Sequence, residues 1–569
     1  MAKVSFTGEQ TKAIELRDKN LLVSAAAGSG KTAVLVERII RRILDEKAGV
    51  DVDRLLIMTF TNAAAAQMRE KIRNAIEEKR RLNPFNRELA RQSALVHNAM
   101  ITTIHGFCLN ILKNHFNEVS LPPDFRIADE GEAKLLRQDA LSEVLEEKYS
   151  KNSPEFIEMV EKLASGKTDR AVEDTVNRLY DFAMSYPEPE KWLEKCVQAY
   201  REIIPGPDPD SCYEALERVP LIKQYFEDIR AQIRKILEDY TELYERCLQD
   251  EGLLMYENTL NSDMEGVRRC AFAGSVRELV DNLGELDFIR FGTGAKKGGV
   301  KPSEEDKEFV RAGRDSLKGR LSSLKERFKD FDPVRECGRI AQDISCVQEL
   351  TELTGEYIKR YSEKKREADI IDYSDMEHLA LRVLSADNGA AADEYRELYE
   401  EVYVDEYQDS NAVQETLLKA VARDNNLFMV GDVKQSIYGF RLARPDIFIE
   451  KYNSFSEDDT GRERDIRIDL SQNFRSRREV IDAVNEIFGA VMNRANSGFD
   501  YDEKARLSFG AEGYNENGEC DNRAELILAQ RGDSGADARE YEALVIAERI
   551  GELMRKHKVF DPDTRGSDP

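Results

Sequence analysis

Long apolar runs are missing from this 569-residue sequence. No stretch reaches the roughly 18 apolar residues that a membrane-spanning helix needs. The N-terminal segment MAKVSFTGEQTKAIELRDKN has none of the apolar core of a secretory signal, so the expectation is a cytoplasmic protein with no membrane partner. Histidines number only 5 and are scattered, which excludes a histidine-rich metal site. The 8 cysteines (Cys108, Cys196, Cys212, Cys247, Cys270, Cys337, Cys346 and Cys520) never form a CxxC pair. Clustered thiolates for zinc or iron–sulfur are therefore absent, and reduced, structural thiols are expected. Positive charge is also in short supply, with 84 Lys and Arg against 110 Asp and Glu and a net charge of −26. By composition alone that speaks against a polyphosphate partner, although a local groove can still grip a single strand through bases and backbone together.

What is present is a chain long enough for three or four folded units, with 41% hydrophobic and 34% charged residues. The first 120 residues alternate helix and strand. A helix over Gln10–Asp18 precedes a strand at Leu21–Val23, and a glycine turn leads to a helix from Lys31 to Glu46. A strand over Arg54–Phe60 is followed by a helix over Ala63–Glu78, and a strand over Met100–Ile104 leads into a helix through Leu112. From Pro122 to Ala392 the texture is long, charged helices, interrupted near Gly292 by GTGAKKGGVKP. Strand texture returns at Glu401–Val404, Leu427–Val430, Ile466–Leu470 and Ala524–Ala529, the last before a helix over Ala538–Lys556; VFDPDTRGSDP at the end reads as loop. The fold class expected is α/β: a parallel sheet with helices on both faces, carrying a large, mainly helical inserted domain. The expected domains are 1–121 with 393–470, the insert 122–392, and a further α/β unit beginning at 471 and running to 569.

The segment Val23-Ser24-Ala25-Ala26-Ala27-Gly28-Ser29-Gly30-Lys31-Thr32 follows a strand and opens a helix, as a phosphate-cradling loop does. Its backbone N–H groups would receive phosphates, Lys31 would add charge, and Thr32 would offer its hydroxyl to Mg²⁺. The GxxxxGK[ST] pattern holds except that Ala25 stands at its first glycine. Val402-Tyr403-Val404 delivers two adjacent carboxylates, Asp405 to hold Mg²⁺ and Glu406 to orient and deprotonate a water, at the strand end where parallel sheets bind ligands. Gln472-Asn473-Phe474-Arg475 follows another strand, making Arg475 a candidate arginine finger.

In this order the motifs resemble the superfamily 1 DNA helicases of the UvrD/Rep/PcrA type. FTGEQ at Phe6–Gln10 looks like their adenine-reading glutamine motif. TFTNAAA from Thr59 and TTIHGF from Thr102 resemble their strand-contact motifs. VDEYQDSN from Val404 matches their DExQD form, and VGDVKQSIYGFR from Val430 is similar to the motif linking nucleotide to DNA. The AAAGSGKT and ITTIHGFC wording and the size of the insert look like the AddA components of bacterial AddAB helicase–nucleases. The resemblance implies a RecA-like P-loop NTPase fold with ATP and Mg²⁺ as cofactors. It also implies 3′→5′ translocation on single-stranded DNA, with single- and double-stranded DNA as partners, during double-strand-break repair, in a heterodimer whose other member is an AddB-like nuclease subunit. A nuclease domain is expected beyond a chain that would be the front part of a longer protein. The resemblance further implies that Gln10 and Phe474 contact the adenine, that Ala25, Ala26, Ala27, Gly28, Ser29, Gly30, Lys31 and Thr32 cradle the phosphates, and that Gln435 senses the γ-phosphate. Phe60, Thr61, Asn62, His105, Tyr438, Phe440 and Arg441 would face DNA. Two other readings share these motifs: a stand-alone UvrD-like repair helicase, and a DNA-binding scaffold whose ATP site only switches conformation.

Two segments imitate other chemistry. Asp369-Ile370-Ile371-Asp372-Tyr373 has the look of a nuclease metal site, but Ser374 and Asp375 follow it and no lysine for a cleavage step comes closely after. GTGAKKGG lacks the GK[ST] ending and lies in helical texture, so a solvated loop is expected there.

Overall fold

The computed structural model describes residues 5–45, 49–164, 168–203, 208–291, 302–511, 523–528, 537–557, 559–561 and 566–568. The Gly292 loop and Cys520 lie outside them.

Six short strands build one parallel sheet: β1 (Asn20–Ala25), β2 (Leu55–Thr59), β3 (Met100–Thr103), then, after the small strands β4 (Arg126–Ile127) and β5 (Ile370–Ile371), β6 (Glu401–Val404), β7 (Leu427–Gly431) and β8 (Asp465–Leu470). The order is β3-β2-β6-β7-β1-β8, every neighbouring pair parallel. These strands are apolar on both faces, as a sheet covered twice must be. Leu21, Val23, Ile57, Tyr403, Phe428 and Val430 pack into one core with the Gly8–Glu15, Lys31–Ile43 and Asn62–Leu82 helices. The alternate residues Leu22, Leu56, Met58, Val402, Val404 and Met429 pack into a second core with the Ile104–His115, Tyr373–Ser385 and Ala412–Val421 helices. The period-2 alternation of side chains thus becomes a three-layer helix–sheet–helix stack.

The chain divides into two compact units, one of residues 1–134, 184–187 and 364–569, the other of residues 135–183 and 188–363. The second is helical. Its core gathers Phe226, Ile229, Ile233, Tyr240, Leu260, Leu279, Leu283 and Leu321 from the Pro220–Gln249, Glu257–Ala271, Val276–Glu285 and Glu304–Phe328 helices. Within it Arg314 meets Asp263 with two bonds of 2.6 and 3.0 Å, both groups buried. In the first unit β4 and β5, which flank the helical segment in sequence, pair with each other.

Two local expectations fail. Residues 523–528 form no strand, and Leu526 and Leu528 are exposed. A strand exists only as part of a ladder, and among the described residues none lies beside it. The terminal segment expected to be loop pairs Val559–Asp561 antiparallel with Gly566–Asp568. The seven described cysteines are free thiols, all but Cys196 buried. No described helix is long and apolar enough to cross a membrane.

Candidate nucleotide site and strand-contact face

The loop between β1 and the Lys31–Ile43 helix turns on two glycines with left-handed backbone, Gly28 (φ 71°) and Gly30 (φ 82°). A Cβ at Gly28 would sit 2.8 Å from the Asn473 side chain, so the space as well as the angle requires glycine. The loop is tied from both sides. Phe474 N donates to Gly28 O (2.9 Å), Asn473 Nδ2 to Ala27 O (2.8 Å), and Gln10 Nε2 to Ser29 O (2.9 Å). Gln10 also receives Thr7 N on its Oε1 (2.9 Å), closing the capping box that starts the first helix. The glutamine expected to read adenine therefore spends one donor on holding the loop and its acceptor on starting the first helix.

A cavity of about 970 Å³ opens over this loop. Its wall contains Ala27, Gly28, Gly30, Lys31, Thr32, Glu406, Gln435, Phe474 and Arg475, all expected from sequence, together with Phe6. Ala25, Ala26, Gln10 and Ser29 are buried behind it rather than on the wall; Ser29 is 1% exposed and its Oγ has no hydrogen-bond partner. The wall also carries residues that motif reading passed over: Arg41, Lys71 and Lys79, with Val36 and Glu37. Lys71 and Lys79 stand eight residues apart on the Asn62–Leu82 helix, a spacing that returns to one face and was the available signal.

Lys31 Nζ rests 3.1 Å from Glu406 Oε2. Glu406 has left-handed backbone (φ 53°), a strained conformation for a residue with a side chain and one that concentrates at functional sites. Gln408 is the hub beneath it. Its Nε2 donates to Glu406 (2.9 Å) and to Asp409 (3.2 Å), while its Oε1 accepts from Asp432 N (3.0 Å). The Asp432 carboxylate in turn accepts from Gln435 Nε2 (2.7 Å) and pairs with Lys434 (2.9 Å). Burial and the neighbouring Glu406 charge push the Asp405 carboxyl up to about 6. Asp409 is raised to about 6 by the same two causes, and its buried Oδ1 lacks a hydrogen-bond partner. Asp405 and Asp409 are not on the cavity wall; burial and the Glu406 charge outweigh the relief from Lys31 at both, and their carboxylates are oxygen donors of the class a divalent cation takes.

The expected strand-contact residues fall into two groups. Phe60 and Tyr438 meet with ring centroids 4.6 Å apart, and Tyr438 and Phe440 at 5.8 Å. Arg441 lies 5.6 and 5.8 Å over the latter two rings. Phe440 is 77% exposed, an aromatic left in solvent beside a cation. Thr61 is occupied in capping the next helix through Ala64 N (3.1 Å), and Asn62 stands exposed in that helix's first turn. His105 belongs to a different cluster, with Nε2 3.1 Å from Glu377 and its ring edge-on to Tyr373 at 5.2 Å.

The nuclease-like segment resolves differently from its sequence. Lys365 lies 3.1 Å from Asp372 and 2.6 Å from Asp375, so a lysine does stand by these carboxylates, though none follows them closely in the chain. Lys365 and Asp372 are buried and Asp375 half-buried in an ion triad at the start of the Tyr373–Ser385 helix, which Asp372 caps.

With the geometry in hand, comparison with known proteins places the chain. The family model for the UvrD/REP helicase N-terminal domain matches residues 6–456. The chain is 38% identical to an ATP-dependent helicase/nuclease subunit of Clostridium botulinum, over 99% of this chain and 47% of that protein. It is 38% identical to the like-named protein of Alkaliphilus oremlandii over 99% of this chain and 46% of that protein. It is 37% identical to that of Bacillus licheniformis, again over 99% and 46%. The chain spans about half the length of these curated relatives. From the phosphate loop to the strand end bearing Asp405 and Glu406, the chain belongs to the UvrD/REP helicase family.

Proposed function

We propose that this chain is the ATP-driven DNA translocase of an AddAB-type helicase–nuclease. One observation carries the reading: Lys31 and Glu406, from distant parts of the sequence, meet at 3.1 Å on one cavity wall that also holds Gln435, Phe474 and Arg475. Phosphoryl transfer asks for positioning and charge stabilisation more than for covalent chemistry. The backbone N–H groups of 27–31 and the start of the Lys31–Ile43 helix receive the phosphates. Lys31 and Arg475 compensate the charge that develops on the transferred group. Glu406, fixed by Gln408, orients the attacking water and takes its proton, and Gln435 reports the terminal phosphate through Asp432 to the loop bearing Tyr438. Thr32 and Asp405 would hold Mg²⁺, which supplies further charge neutralisation on the phosphates. Phe6 and Phe474 flank the position of the base.

On the other side, the Phe60–Tyr438–Phe440–Arg441 cluster offers ring faces and a cation to a single strand, a sequence-tolerant grip. A 3′→5′ direction, action on chromosomal DNA in the cytoplasm, and association with a nuclease partner belong to the same proposal. The nuclease activity and the membership of a larger assembly that the relatives' names state are proposed for the whole protein. The test is ATPase rate with and without single-stranded DNA. DNA should raise turnover at least tenfold, and Lys31→Ala and Glu406→Gln should abolish the rise; hydrolysis indifferent to DNA would end the translocase reading.

A further inference from the structure

Among the buried carboxylates that the translocase reading does not use is Glu377. Glu377 lies one turn into the Tyr373–Ser385 helix, only 4% exposed. Burying a carboxylate is costly unless it is paired and hydrogen-bonded, and an apolar side chain would fill the same space more cheaply. Glu377 is fully served. Its Oε1 accepts from Gln414 Nε2 (2.7 Å), its Oε2 from Asn411 Nδ2 (3.3 Å), and Nε2 of His105 stands 3.1 Å away. Burial pushes its carboxyl up, but His105 and the two amides outweigh this and leave it below the usual range. The helix that carries it is itself pinned, through Asp372 and Asp375 on the buried Lys365. Asn411 and Gln414 in turn form the capping box of the helix that follows the Asp405–Asp409 loop. His105, by contrast, has 37% of its side chain in solvent.

We infer that Glu377 is a positioning residue for DNA contact: it fixes the His105 imidazole by its Nε2 edge so that the exposed part of the ring is presented to the strand in one orientation. The inference rests on the translocase reading, since it gives Glu377 its purpose through His105. An oriented carboxylate behind a histidine sets both the tautomer and the ring plane. Without it the imidazole would rotate freely at the surface, and ordering it would weaken each binding event.

Fluorescence anisotropy of a labelled oligo(dT) on the 569-residue chain tests this by a double-mutant cycle. His105→Ala and Glu377→Ala should each raise Kd about tenfold, and the double variant no more than about twofold beyond either. Glu377→Gln keeps the volume and one acceptor; it should raise Kd about threefold with an unchanged melting temperature, which covers the case in which the alanine variant folds poorly. A carboxylate that merely supports the fold would add its effect to that of His105→Ala. A double variant near a hundredfold, or a wild-type Kd in both Glu377 variants, overturns the inference. If the wild-type protein itself binds no oligo(dT), the translocase reading falls and this inference with it.

Discussion

Replacing Gly431 with alanine places a methyl group where the structure has no room. A Cβ there would lie 2.3 Å from Gln408 Oε1 and 3.2 Å from both Gln408 N and the Phe448 ring. Phe448 is buried and the second neighbour is backbone, so the Gln408 side chain must yield. It cannot yield freely, because its amide is held at Asp432, Glu406 and Asp409. Displacing it forfeits one neutral hydrogen bond and two to carboxylates, and bonds to charged groups contribute about 1.5–3 kcal/mol each. Only the Glu406 bond bears on the proposed base. Losing about 2–3 kcal/mol of its orientation corresponds to a fall in kcat of about 30- to 150-fold. Lys31 and the phosphate loop are not displaced, so KM for ATP should move by less than about threefold. Steady-state ATPase at saturating oligo(dT) measures both. In a Gln408→Ala background the methyl group has space, and adding Gly431→Ala should cost less than about a further twofold. If Gly431→Ala costs as much in that background as in the wild type, the damage does not run through Gln408 and the reasoning is wrong.

Other outcomes can be read from the same geometry. Phe440→Ala should weaken oligo(dT) binding about 5- to 150-fold, from the roughly 1–3 kcal/mol that one stacked base contributes, while leaving the melting temperature unchanged because the ring is exposed. Lys365→Met removes the cation shared by the buried Asp372 and the half-buried Asp375 and should cost about 3–5 kcal/mol of stability in a denaturant titration. Glu401 is buried against Arg38 and Arg42 at 3.0 Å and Arg17 at 3.8 Å. Burial raises its carboxyl, but Arg38, Tyr403 and the other arginines hold it below its ordinary value. Its stabilising contribution is therefore complete above the unfolded carboxylate range and is lost as pH falls through the folded pKa. Melting curves should show Glu401→Gln well below wild type at neutral pH, with the gap closing in acid; a constant gap would refute the assignment.

The sheet was legible because its strands are short apolar runs bounded by turn residues, as at Leu55–Thr59 and Glu401–Val404. The phosphate loop was legible because its glycines, lysine and threonine are contiguous. What escaped was assembled by the fold across long separations. No spacing along the chain joins His105 to Glu377. Gln10 was read from its motif as a ligand group, and its neighbourhood reveals a second duty, bracing Ser29, that a linear pattern does not encode. Arg41, Lys71 and Lys79 reach the cavity from helices whose other positions serve the core, so their charge reads as ordinary solvated surface until the sheet orients them.

The contact between Lys31 and Glu406 has a consequence for idling. One ammonium group cannot serve a carboxylate and a triphosphate in the same geometry. In the proposed mechanism the cation that pairs with Glu406 is also the one that the phosphates require. Under the proposed function a bound phosphate would compete for Lys31, and that competition would free Glu406 to face a water molecule. On that reading Lys31 couples the two ends of the reaction, so that restraint of the base and charge on the phosphates draw on a single ammonium group.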